Sequence, residues 1–136
     1  MTPQTFTLIF VAALVLSTGL HLWLDQRHLR HVLAHRDQVP ADFFGRIELA
    51  DHRKAADYTA AKVRLGFVET LVDTLVLLLF TLGGVLALVD SGLRDAFGAG
   101  HLQGLALFAS VGVIGFVIGL PASLYRSFVI EERFGF

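Results

Sequence analysis

Phe67 to Val89 reads FVETLVDTLVLLLFTLGGVLALV, twenty-three residues in which Glu69 and Asp73 are the only charges. A stretch this long and this apolar is expected to be a transmembrane helix. Two more stretches match it. Phe6 to Leu24 (FTLIFVAALVLSTGLHLWL) is interrupted only by His21, and Leu102 to Leu120 (LQGLALFASVGVIGFVIGL) ends at Pro121. At 1.5 Å per residue, each nineteen-residue stretch rises about 28 Å, close to a hydrocarbon core of about 30 Å. Unpaired backbone in lipid is costly and three segments cannot close a barrel, so each must be helical. The fold class expected is all-α integral membrane. Three transmembrane helices span about 6–24, 67–89 and 102–120, with a long helical connection, 25–66, between the first and second.

Composition supports this and excludes much else. Of the 136 residues, 54% are hydrophobic and 17% charged, and the mean hydropathy is +0.65, too oily for a water-facing surface of this size. A formal charge of -1 supplies no net basic field for nucleic acid. The absence of cysteine excludes a disulfide scaffold, a thiolate metal site and a cysteine nucleophile within this chain. The first stretch lacks the marks of a cleavable leader: Met1 to Thr5 carries no Lys or Arg, and the segment ends HLWLDQRH rather than in small residues. A retained anchor is expected.

Lys and Arg set the orientation. Eight lie between Asp25 and Gly66 (Arg27, Arg30, Arg36, Arg46, Arg53, Lys54, Lys62 and Arg64), one, Arg94, between the second and third spans, and two, Arg126 and Arg133, after the third. Positive residues stay cytoplasmic, so the first loop and the C-terminal end are placed there and the N-terminus and the Asp90–His101 link outside. The first helix is expected to continue through LDQRHLRHVLAHR until Val39-Pro40 interrupts it. From about Glu48, helix formers run into the second span, giving a helix near 40 residues, or about 60 Å. Arg outnumbers Lys nine to two and Ala, Leu, Val and Gly abound, which points to a GC-rich bacterium and an inner membrane.

Four features invite a chemical reading. HVLAH, His31 to His35, puts two histidines on one helix face, with His28 a turn earlier and Asp37 nearby. The zinc-peptidase pattern needs a glutamate as its second residue, to act on metal-bound water, and Val32 stands there. A solvated juxtamembrane helix is the reading preferred. Glu69 and Asp73, one turn apart inside the second span, are costly in lipid. Glu69 lies either at the interface, with Lys62 or Arg64 as partner, or in an aqueous chamber; Asp73, deeper, is assigned to a chamber or a helix–helix contact. Gly112, Gly115 and Gly119 share a face and include a GxxxG spacing, which is expected to let spans pack closely. Beyond Pro121 the tail mixes aromatic residues with Arg126, Glu131, Glu132 and Arg133, and reads as an interfacial helix that ends at Gly135.

That tail, LPASLYRSFVIEERFGF, resembles a signature of CAAX prenyl protease type 1 and its bacterial relatives, the membrane-embedded zinc metalloendopeptidases that include the farnesylated-protein-converting enzyme. The family pattern is approximately Leu-Pro-x-x-x-Tyr-x-x-Phe-Val-Ile-Glu-Glu-x-x-Gly-Phe-Asn. Leu120, Pro121, Tyr125, Phe128, Val129, Ile130, Glu131, Glu132, Gly135 and Phe136 fall on it. HRDQVPADF (35–43) and HRKAADYTAAKVRLG (52–66) are similar to two further blocks, the second to Lys-Ala-x-x-Tyr-x-x-x-Lys. The resemblance implies an N-terminal membrane region of a zinc-dependent endopeptidase acting on membrane-associated or prenylated peptides. It implies further helices around a water-filled chamber and a cytoplasmic-side peptidase domain, with zinc held there by His-Glu-x-x-His and a third glutamate. This chain has no His-Glu pair, so no catalytic or metal residue carries over and no zinc is assigned to it. By the same resemblance Glu69 and Asp73 face the chamber, while Tyr125, Glu131, Glu132 and Arg133 lie near the catalytic domain.

The chain is therefore expected to be the front of a longer reading frame. Its expected partners are the lipid bilayer, the remaining helices and peptidase domain of the same protein, and a peptide or protein substrate. The alternative is a stand-alone, non-enzymatic small membrane protein, an adaptor that keeps only this scaffold. The coding sequence after Phe136 separates the two.

Overall fold

The computed structural model describes residues 2–40, 43, 45 and 47–135. Met1, Ala41, Asp42, Phe44, Arg46 and Phe136 lie outside the described residues, and with them parts of two family-like blocks and one arginine of the orientation count. The described residues form helices and turns, in the order α1 (Pro3–Ala34), α2 (Leu49–Thr81), α3 (Val85–Phe97), α4 (His101–Tyr125), a π-helix (Arg126–Glu131) and α5 (Glu132–Phe134). α1 starts where Thr2 caps the Thr5 N–H and Pro3 presets the first helical turn.

Thirty-two residues make α1 about 48 Å long, so it overshoots the hydrocarbon core by more than two turns. The overshoot is the polar run after Leu24. α2 returns alongside α1, and the two are joined at mid-depth by a hydroxyl pair, Thr18 to Thr74 at 3.1 Å. Such a bond between helices satisfies groups that lipid cannot. α4, the π-helix and α5 form a third long rod, and Tyr58 meets Phe134 edge to face with ring centroids 5.7 Å apart. The polar end of α1, the start of α2 and the end of this third rod therefore gather at one end of the bundle. Among the described residues the buried apolar side chains, Ala56, Ala60 and Ile130, belong to that end.

Along the spans the apolar side chains face outward: Phe108 is 82% exposed, Leu88 74% and Leu16 73%. In water such a surface is unsustainable; in lipid it is solvated. Two helical rods, Pro3–Ala34 and His101–Phe134, are long and apolar enough to cross a membrane, and the pair α2 and α3, bent by 54°, makes a third if it is one span.

The bend corrects the sequence reading of 67–89. Instead of one helix near 40 residues, α2 stops at Thr81 and α3 starts at Val85. Leu82 and Gly83 both donate their N–H groups to the Leu78 carbonyl, at 2.8 and 3.0 Å, and Gly84 then adopts φ +76. Two adjacent glycines at a helix end are a termination signal that outweighs the apolar character around them. The link expected between the second and third spans is correspondingly shorter, because α3 carries helix through to Phe97. Near the other end, the tail helix does continue from the membrane, and Gly135 closes it with φ +69.

Candidate functional site

α2 and α4 diverge enough to leave a cleft of about 860 Å³ between them, with His21 of α1 on its rim. Glu69, Thr70 and Asp73 line it from α2, and Gly119, Pro121 and Tyr125 from the third rod. The volume lies in the range of ligand-binding clefts, and a mostly apolar lining with a few converging polar groups is typical of them. Toward the polar end the cleft continues into a hollow of about 460 Å³, which shares Leu65, Val68 and Tyr125 and adds Arg64, Arg133 and Phe134.

Glu69 is paired, and its partner is neither Lys62 nor Arg64. One guanidinium nitrogen of Arg126, Nη2, donates to both carboxylate oxygens at 2.8 and 2.6 Å. The side chains are 41% and 28% exposed. Arg126 Nε is buried with no hydrogen-bond partner among the described residues. Lys62 instead lies over the Tyr58 ring at 5.1 Å. The pair fastens the first turn of the π-helix to α2. Pro121 has no N–H to give the turn before it, and the ladder widens to i+5 bonding a few residues later.

Asp73 has no hydrogen-bond or ion-pair partner among the described residues. Its neighbour in sequence, Thr74, bonds Thr18, which lies six residues inside Leu24. Asp73 is thus about 9 Å within the apolar layer. It also lines a smaller groove beside Gly115. A carboxylate at such a depth calls for water or a partner group.

The glycine face meets no other helix among the described residues. A Cβ added at Gly112, Gly115 or Gly119 meets nothing within 4 Å. Gly115 and Gly119 serve instead to floor the two grooves.

At the polar end a second ion network ties the segments together. Arg36 donates from Nε and Nη2 to both oxygens of Asp57, each at 2.7 Å, and Arg53 donates to Asp37 at 2.6 Å. The Arg36 hydrogen bond holds the Asp57 carboxyl below its ordinary value, and Asp57 in turn raises Arg36. Arg133 adds its field to Asp57. Glu131 is half-buried and Glu132 exposed; the Glu132 carbonyl accepts the Gly135 N–H at 3.1 Å. Of the histidine group, the His31 and His35 rings lie 4.3 Å apart, and His35 Nδ1 bonds the His31 carbonyl at 2.9 Å. No group of three His, Cys, Asp or Glu among the described residues is placed to hold a metal ion.

The sequence blocks 52–66 and 120–136 are therefore brought face to face, at Tyr58–Phe134, with the Glu69–Arg126 pair just beyond. A family model described as CAAX prenyl protease N-terminal, five membrane helices, matches residues 28–136. The chain belongs to this family. Among curated proteins, the CAAX prenyl protease 1 homolog of Caenorhabditis elegans is 29% identical over 131 residues. That match covers 94% of this chain and 28% of the relative, so the chain spans little more than a quarter of the relative's length. No solved structure matches it. The chain is a membrane protein, the N-terminal membrane part of a CAAX prenyl protease-family protein.

His21, which lines the cleft, and Arg126, which pairs with the cleft residue Glu69, are residues that sequence reasoning left without a role there. Arg126 was findable: it is the cation nearest the end of the third span, and opposite charges at membrane depth pair.

Proposed function

We propose that this chain forms one wall of the substrate chamber of a zinc-dependent endopeptidase that cleaves membrane-associated or prenylated peptides. The observation that carries the reading is the cleft between α2 and α4, where Glu69, Asp73 and Tyr125 present polar groups at membrane depth. Family membership supplies the reaction class. The metal, when bound, supplies the activated water; it and its ligands belong to other parts of the protein, and no catalytic step is assigned to side chains of this chain. Their work is to hold the chamber open, keep it hydrated at Asp73, and present the signature helix, with Glu131, Glu132 and Arg133, to the peptidase domain. The polar end faces the cytoplasm in this reading, following the excess of arginine there, and the membrane is a bacterial inner membrane.

Asp73 gives the test. In the full-length protein, Asp73→Ala is expected to lower kcat/KM on a prenylated peptide by about tenfold, with the membrane level unchanged, as a misplaced or dehydrated substrate path does. Asp73→Asn, which retains polarity, should lose less. Cleavage and membrane level both unchanged in Asp73→Ala would remove the chamber role.

A further inference from the structure

A separate apolar groove of about 560 Å³ runs between α1 and α2, floored by Gly19, Leu22, Phe67 and Leu71, and shares no residue with the cleft. Trp23, Gln26 and Leu29 complete its lining. Trp23 is 54% exposed, and the Arg27 guanidinium lies 5.8 Å from its ring centroid. Arg30 follows on the same stripe of α1, four and seven residues after Trp23 being neighbouring positions on one helix face. Arg36, Arg53, Arg94 and Arg126 each have a carboxylate partner. Among the described residues Arg27 and Arg30 have none.

We propose that this groove binds an anionic phospholipid. One acyl chain lies along Leu22, Phe67 and Leu71, in the space left by Gly19, and the phosphate meets Arg27 and Arg30 with the Gln26 amide as a neutral donor. Three observations converge on that occupant. The groove is lined mainly by apolar side chains of α1 and α2. Tryptophan in its lining marks headgroup depth. Two unpaired arginines stand immediately beyond, where each basic residue enriches an anionic headgroup about fivefold. A zwitterionic lipid offers the same phosphate but carries an ammonium that these arginines repel.

The inference rests on α1 crossing the bilayer, and the experiment separates the two claims. Trp23 is the single tryptophan, so its emission reports this groove alone. The full chain is reconstituted in phosphatidylcholine vesicles containing brominated phosphatidylglycerol or, at equal mole fraction, brominated phosphatidylcholine. Brominated phosphatidylglycerol is expected to half-quench Trp23 at a mole fraction about fivefold lower or better. The Arg27→Gln, Arg30→Gln variant is expected to respond equally to both lipids with its helicity unchanged. Equal quenching by both lipids in the unaltered chain, or a phosphatidylglycerol advantage that survives the two substitutions, overturns the site. Reversal of the quenching by excess inorganic phosphate overturns lipid as the occupant. Absence of quenching by either lipid contradicts the membrane placement of α1 itself.

Discussion

Arg126→Ala is expected to destabilise the folded chain by about 2 kcal/mol, between the small value of an exposed ion pair and the 3–5 kcal/mol lost when a buried pair is broken. The partial exposure of both side chains, 41% and 28%, places the pair between those limits. Most of the cost comes from what remains: Glu69, a carboxylate lining an apolar cleft two residues inside the second apolar stretch, with its two hydrogen bonds gone. The sign of the double variant is informative. Glu69→Gln with Arg126→Gln removes both charges and leaves two amides able to bond each other, so it should recover most of the loss. A double-mutant cycle on reversible unfolding in mixed micelles measures the coupling. A coupling of about 1.5 kcal/mol is expected, and a value near zero would mean that the π-helix is anchored by something other than this pair.

The second large effect belongs to the glycines at the bend. A Cβ on Gly83 would lie 2.6 Å from the Leu79 carbonyl oxygen and 2.9 Å from its Cα, backbone atoms that cannot swing aside. Gly84, at φ +76, costs an L-residue about 1–2 kcal/mol. Inside a continuous helix the same alanines are favoured over glycine by about 1 kcal/mol each. Gly83→Ala with Gly84→Ala therefore tilts the balance toward one straight helix by about 3–4 kcal/mol. That exceeds the side-chain hydrogen bond that ties α3 to α4, where Asp90 accepts from the Gln103 amide. Spin labels at positions 75 and 95 should move apart toward the straight-helix separation of about 30 Å. An unchanged distance distribution with unchanged stability would show that α4, not the glycine pair, imposes the bend.

These two sites also mark how far the sequence could be read. The apolar runs were long enough to announce helices in lipid, and Gly135 ended the tail helix as local backbone preferences require, whereas α1 stopped at Ala34, ahead of Val39-Pro40. Leu82-Gly83-Gly84 carried a stop signal just as local, but it lay inside an apolar run whose length pointed to one span. Hydropathy alone does not distinguish a straight crossing from a broken one. Glu69 and Asp73 were legible as costly groups. Their different fates were not, because the pairing of Glu69 with a residue 57 positions later depends on how α2 and the π-helix cross. For Gly112, Gly115 and Gly119, spacing identified a face on which backbones can approach, and no other described residue of this chain occupies it. Arg36 and Asp57 were visible only as two charges in a polar connection, and their pairing follows from the antiparallel return of α2 along α1.

The placement of the helix ends underlies every other claim, and the chain has no native cysteine, so single introduced cysteines report their positions without background. Positions 4, 38, 48, 99 and 132, all exposed, are substituted one at a time and probed with a membrane-impermeant maleimide in sealed vesicles, before and after permeabilisation. The account predicts that 38, 48 and 132 react from one face and 4 and 99 only from the other. Reaction of all five from the same face without permeabilisation would contradict it.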